Sequence, residues 1–289
     1  MSKMPHIQLD ESIHATAAIL PGDPARVDAI AAYLEDVKEE MFCREYKSIT
    51  GTYKGVRILA ISTGMGGAST AICIEELADL GVTDMIRIGS CGALQSHLSL
   101  GQLVLCDRAV CDDGTSQTYT NYFKYAHPDL ELDDSDFAYT SAASNVIASS
   151  SDNTSASCTI IPDPAIQYAY ASPDLLRACE NACESLGFAH DTGATRCHDA
   201  LYLKQKPEID EFYSQKGIFS SDMETAALFA VGQMRGIRTA SILNVVVEWK
   251  KDLKEGISSY KDGKDAAAQG EKKEILAALE ALYLIKCES

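Results

Sequence analysis

Val56-Arg57-Ile58-Leu59-Ala60-Ile61-Ser62-Thr63-Gly64-Met65-Gly66-Gly67 reads as a short apolar strand running straight into a glycine-rich turn. Residues 70–80 then carry helical periodicity and stop at Gly81. The same order precedes it, where an apolar run over residues 16–20 leads into Pro21-Gly22-Asp23-Pro24-Ala25-Arg26. Asp23 is suited to cap a helix there, and Pro24 to stand at its first position, where a missing N–H costs nothing. Beyond it Val27, Ile30, Ala31 and Leu34 share one apolar face. The order recurs at residues 84–88, a strand candidate entering Arg87-Ile88-Gly89-Ser90-Cys91-Gly92, which reads as a third strand-to-helix turn. Residues 51–54 look like a hairpin region. Strand candidates at 103–110 and 239–247 and helices at 174–186, 222–233 and 272–285 continue the alternation. The pattern predicts an α/β sheet with helices on both faces, in a single domain spanning 1–289.

Glycine lets a main chain approach an anion, and a helix start offers free N–H groups and a positive dipole end. Three such turns within the first hundred residues, two of them carrying an arginine, point to one site for a phosphate-like ligand. The chain of 289 residues has a formal charge of −17, which argues against nucleic acid or an anionic membrane as partner. An acidic protein that holds an anion does so through a local pocket. The 10 cysteines are scattered without paired spacing, as expected of reduced core thiols in a cytoplasmic protein. Cys179 and Cys183, with His190 and His198 downstream, admit a zinc reading as well as a core reading; the core reading is preferred and no metal is assigned. Residues 1–20 lack a signal-peptide layout, and no segment is suited to spanning a bilayer. From about 117 to 161 the composition turns to Ser, Asp, Thr, Asn and Tyr, which reads as an insertion, either at the rim of the site or interface or simply a surface loop.

Ser221-Asp222-Met223-Glu224-Thr225-Ala226-Ala227 sits where a loop becomes a helix. Read alone, Asp222 and Glu224 are an acidic first turn complementing the helix dipole. A carboxylate in that place can also accept hydrogen bonds from two sugar hydroxyls, with Met223 against the sugar ring.

Five segments in order, PGDPARV (21–27), REY (44–46), STGMGGAST with EEL (62–70, 75–77), RIGSCGAL (87–94) and SDMETAAL (221–228), resemble the nucleoside phosphorylase family of the hexameric, uridine phosphorylase-like type. The resemblance covers nearly the whole chain apart from the insertion. It implies one α/β domain around a mixed, partly barrel-like sheet, and a pentosyltransferase that splits ribose from base with phosphate. It further implies phosphate binding by Gly22, Arg26, Arg87 and Ser90, with Arg44 supplied by a neighbouring subunit in a homo-oligomer. His6 resembles the histidine that reaches across the interface to the ribose 5′-hydroxyl, although its spacing to residues 21–24 is shorter here. Met223 and Glu224 match the ribose pair. Catalysis would rest on Arg26, Arg87 and Glu224, with no metal or organic cofactor and with phosphate as co-substrate.

For the base the resemblance implies Gly92, Gln205, His198, Val246 and Val247. Gln205 matches the glutamine that pairs with uracil, but the arginine expected two residues later is Pro207. Val247 stands where purine enzymes of the family place an aspartate, so the paired valines fit the apolar wall of the uridine enzymes. Trp249 replaces an arginine often found just beyond that wall; it is read either as a base-stacking group or as loop packing. His198 is read either as a donor to the base or as a structural histidine. The expected activity is reversible phosphorolysis of uridine to uracil and ribose 1-phosphate. The alternatives are another nucleoside as substrate, pyrimidine or purine, a hydrolase of the same fold, or a catalytically silent nucleoside-binding paralogue.

Overall fold

A computed structural model of the chain describes residues 2–126, 166–261 and 266–287. An apolar strand β1 (Ala17–Pro21) lies between the parallel strands β4 (Val56–Ile61) and β5 (Asp84–Ala93). Strands β2 (Glu35–Cys43) and β3 (Tyr46–Tyr53) extend the sheet beyond β4 by antiparallel pairing. The hairpin between β3 and β4 turns at Lys54 and Gly55, with φ of 47° and 84°. It therefore turns at the end of the region 51–54 expected from sequence and one residue beyond it, because the pair of left-handed residues suits a two-residue hairpin.

The other half closes on itself. Strand β5 pairs in parallel with β10 (Arg238–Val247), which runs antiparallel to β6 (Leu103–Asp112). β6 is parallel to β8 (His190–His198), β8 to the short β9 (Ser220–Asp222), and β9 returns antiparallel to the end of β5. The short β7 (Tyr168–Tyr170) pairs with the outer part of β6. The sheet is thus mixed and partly a barrel, as expected, with β5 shared by its open and closed parts.

Residues 87–92 differ from the sequence expectation. They do not turn into a helix but continue β5, whose last residues leave β1 and pair with β9. Gly89 among them serves clearance: a Cβ there would stand 2.6 Å from Nη2 of Arg87. Only a strand that carries on past β1 can close the barrel.

Helix α1 (Pro24–Ala31) begins as expected, with the Asp23 carboxylate accepting from the Ala25 N–H at 2.9 Å. It ends before Leu34, so Val27 and Ile30 alone form its fully buried face. Helices α2 (Gly67–Asp79), α3 (Gly114–Ala126) and α6 (Thr225–Arg235) pack together, while α4 (Pro173–Leu186) packs with the closing helix α8 (Ala266–Cys287) against β10. In the shorter α5 (Lys206–Gln215), Tyr213 packs on Leu94, Val110 and Ile218, and in α7 (Leu253–Lys261), Leu253 and Ile257 pack on the end of β10. Helix α6 starts later than 222, because Asp222 belongs to β9 and uses its side chain to hold the Thr225 N–H at 3.0 Å. Cys179 and Cys183 are buried in the core face of α4. Helix α3 takes in residues 117–126 of the expected insertion, and 127–161 lie outside the described residues. Among the described residues no helix is long and apolar enough to cross a membrane.

Candidate active site

Strands β1, β4 and β5 run parallel, and ligands of such sheets bind beyond the carboxyl ends of the strands. The turns after β1 and β4 are stitched together there: Thr63 N–H donates to the Pro21 carbonyl at 2.9 Å, and Gly64 N–H to that of Gly22 at 3.0 Å. A Cβ on Gly22 would lie 3.2 Å from the Gly64 carbonyl oxygen, so glycine permits the close approach.

Arg87 projects from β5 into this corner and is buried. Its Nε donates to Asp222 Oδ2 at 3.1 Å and its Nη2 to Glu224 Oε2 at 2.5 Å. Its Nη1 is buried without a partner, and it faces the Gly22 turn, 3.9 Å from where a Cβ would be. Asp222 is itself fixed by the Thr225 hydroxyl at 2.6 Å and by Cys197, whose Sγ donates to Oδ1 at 2.7 Å. Burial raises the Cys197 thiol well above its ordinary range, which keeps that proton in place. The second oxygen of Glu224 accepts from the Gly66 N–H at 2.6 Å. Burial pushes the Glu224 carboxyl up, against the pull of Arg87. Met223 lies between the two clamping carboxylates, half-buried.

Arg26, in the first turn of α1, completes the cluster. Its Nη2 reaches Ser90 Oγ at 3.5 Å, and two carboxylates of α8, Glu271 and Glu274, each stand 3.2 Å from it. The structure therefore brings Gly22, Arg26, Arg87, Ser90 and Glu224 to one corner. A planar guanidinium held on two sides with its third face open is shaped to take an oxyanion.

A model of the phosphorylase superfamily matches residues 16–280. The chain belongs to that superfamily. It is 31% identical over 252 residues to the uridine phosphorylase of Thermococcus kodakarensis, spanning 83% of this chain and 76% of that protein. To the guanosine phosphorylase of Halorubrum lacusprofundi it is 29% identical over 245 residues, spanning 85% and 83%. Its fold superposes on the crystal structure of uridine phosphorylase from Vibrio fischeri ES114 with a TM-score of 0.76 at 33% identity, covering 100% of this chain and 99% of that one.

The remaining candidate residues of this phosphorylase-superfamily chain make contacts other than with the two arginines. Arg44 is exposed at the tip of the β2–β3 hairpin, with φ of 57°, and its neighbour Glu45 fills the space over Gly64. His6 is bound to its own chain: its Nδ1 and backbone N–H meet the carboxylate of Glu76 on α2 at 2.5 and 3.1 Å. Gln205 is exposed at the start of α5, where Pro207 occupies the first turn and its missing N–H costs nothing. Val246 and Val247 are covered by Leu253 and Ile257 of α7 and by Ala267. Gly92 pairs with Ser221 where β5 meets β9. Trp249 packs against the barrel-end cluster of Leu94, Val110 and Ile218, with Lys250 over its ring, which is the loop-packing role. His198 is buried with Nδ1 unpartnered, and burial, assisted by Arg196 and Lys206, holds it down at about 4. It is a neutral imidazole at physiological pH. Arg196 is engaged by Asp112 at 2.7 Å and Asp210 at 3.4 Å.

Two groups of residues escaped the sequence reading. A cleft of about 450 Å³ lies between Met65 and Gly66 of the β4–α2 turn, Ala68 of α2, Thr115 and Tyr119 of α3, and Asp199. It shares Gly66 with the Glu224 clamp. Nothing in the local spacing around Gly114 marks it. Glu271 and Glu274 left a signal, since Glu274 falls on the apolar stripe of α8 with Gly270, Ala277 and Ala278. A carboxylate on a buried stripe implies a partner.

Proposed function

We propose that this chain is a uridine phosphorylase, which converts uridine and phosphate reversibly to uracil and ribose 1-phosphate. One observation carries the reading: a buried arginine held by Asp222 and Glu224, with Nη1 unpartnered and facing the Gly22 turn beside Arg26 and Ser90. Membership of the superfamily and the relatives named uridine phosphorylase support it.

In this reading phosphate sits among Gly22, Ser90, Arg26 and Arg87, beneath C1′ of the ribose. Bond breaking to the base runs ahead of bond making, and the dianion stabilises the oxocarbenium character of the sugar before attacking it. Glu224 receives the 2′- and 3′-hydroxyls and Met223 lies against the ring. Positioning and preorganised charge supply the acceleration, and the reaction as written calls for no metal or organic cofactor. Neutral His198 offers the departing base an N–H rather than a charge. Arg44 and His6 act across the interface of a homo-oligomer, and the enzyme works in cytoplasmic pyrimidine salvage.

A second reading, phosphorolysis of a purine nucleoside, is favoured by the guanosine phosphorylase relative and by the exposed Gln205. Incubation with uridine, thymidine, inosine and guanosine, with and without phosphate, separates the two by the base released. Phosphate-dependent uracil release is expected. Preferential purine release would replace uridine with a purine nucleoside, and release without phosphate would overturn phosphorolysis itself.

A further inference from the structure

Glu274 is fully buried on α8, yet it is a carboxylate placed against the proposed anion corner. Its Oε1 lies 3.2 Å from Nη1 of Arg26, while Glu271 takes Nε of the same guanidinium. Neither Glu274 oxygen makes a well-formed hydrogen bond from a side chain. The charges of the corner do not suit an anion as they stand. Arg26 and Arg87 face Asp222, Glu224, Glu271 and Glu274, so two cations already meet four carboxylates. Asp222 and Glu224 are spent on clamping Arg87, and Glu271 is partly exposed. Glu274 alone among the four combines complete burial with a place on Arg26.

We propose that Glu274 is a positioning residue of the phosphate subsite, competing with phosphate for Arg26 when ionised and releasing that guanidinium when protonated. The proposal rests on the phosphate reading of the site given above. Bringing a dianion next to a buried carboxylate is costly, and adding a proton to the carboxylate removes the repulsion.

The groups acting on Glu274 are Arg26 from α1, Arg87 and the Gly89 N–H from β5, and Glu271 from its own helix. Cys91 of β5 also lies within its field, and near Gly270 and Ala267 of α8 strand β10 presents the uncharged amide of Asn244. Burial raises the carboxyl to about 8, with Arg26 pulling it back and Glu271 adding to the rise. The proton is therefore present at neutral pH and lost as pH climbs through that value. Phosphate affinity falls over the same window.

Isothermal titration calorimetry with inorganic phosphate, without nucleoside, tests this in the wild-type chain and in Glu274→Gln between pH 6.5 and 9. Ionisation of the phosphate is common to both proteins and cancels in the ratio of their Kd values. That ratio, wild type over variant, should rise about tenfold from pH 7 to pH 9. A ratio constant across the range would show that Glu274 only packs Arg26 and would overturn the proposal. Should the variant fail to fold, the wild type still decides. At pH 9 phosphate binding should take up close to one proton per site, measured in buffers of different ionisation enthalpy, and no uptake would overturn the proposal. Absence of phosphate binding to the wild type at every pH would instead remove the phosphate reading on which the proposal stands.

Discussion

At the scale of single residues, the corner depends on what is missing at Gly89 as much as on what Arg87 supplies. A Cβ there would come within 2.6 Å of Nη2 and 2.9 Å of Cζ, with a rigidly held guanidinium in the way. At Gly92, three residues on, the same Cβ would meet Ser221 Oγ at an ordinary 3.6 Å. Gly89→Ala is therefore expected to cost about 1–3 kcal/mol through overpacking, and to weaken phosphate binding by displacing Arg87. Gly92→Ala should be nearly neutral in stability. Thermal melts and phosphate titrations of the pair check this, and equal effects at both positions would show that backbone freedom, not clearance for Arg87, is what the glycines provide.

At the scale of elements, helix α1 carries Arg26 in its first turn and owes its start to Asp23. Loss of such a cap costs about 1 kcal/mol and lets the first turn fray. Asp23→Ala should thus lower the melting temperature by a few degrees and raise KM for phosphate several-fold with kcat little changed. An unaltered phosphate KM would mean that the contact with Glu271 of α8 suffices to keep Arg26 in place. Much of this element was readable beforehand, since the cap, the proline and the apolar spacing are all local. Strand β5 was not, because its continuation past Ile88 is decided by pairing with β9 and β10, whose residues lie far along the chain.

At the scale of the whole molecule, Asp84 joins three elements. It opens β5, is wholly buried, and meets Arg238 at the start of β10 and Lys286 near the end of α8. Burial opposes its ionisation, but these two cations together with Thr83 more than offset that and hold its carboxyl below the ordinary range. A depressed carboxylate stabilises the fold above its unfolded-state value and loses that contribution as pH falls through the lower folded value. Asp84→Asn should cost about 1–3 kcal/mol at neutral pH, discounted for the partial exposure of both cations. Its deficit against the wild type should shrink below about pH 4, where the unfolded-state carboxylate begins to take up a proton while the folded one still holds its charge. Urea melts at pH 7 and pH 3 measure both, and a deficit independent of pH would show that the charge of Asp84 is immaterial.

Assembly belongs to the same scale. Arg44 is exposed on a hairpin tip, and the proposed site needs it from a second copy. Arg44→Ala should raise KM for phosphate about tenfold or more without lowering the melting temperature. Mixing Arg44→Ala with Glu224→Gln, assayed at phosphate well below the raised KM where each alone is impaired, should regenerate about a quarter of the sites by random pairing, if each site draws Arg44 and Glu224 from different chains. Mixtures no more active than their components would show that both groups come from one chain.

Local pattern carried the alternation of strands and helices, the capped start of α1, the glycine turns after β1 and β4, and the ordered motifs that mark the superfamily. Each depends on residues within a turn or two of one another, where spacing and side-chain chemistry act directly. Tertiary structure decided the rest: closure of the barrel through β9, the covering of Val246 and Val247 by α7, and the meeting of Arg87 with Asp222 and Glu224. It also set Glu274 against Arg26, across nearly the full length of the chain. Such pairings are fixed by which buried surfaces and unpaired charges find each other when the sheet closes, and no periodicity along the chain encodes them.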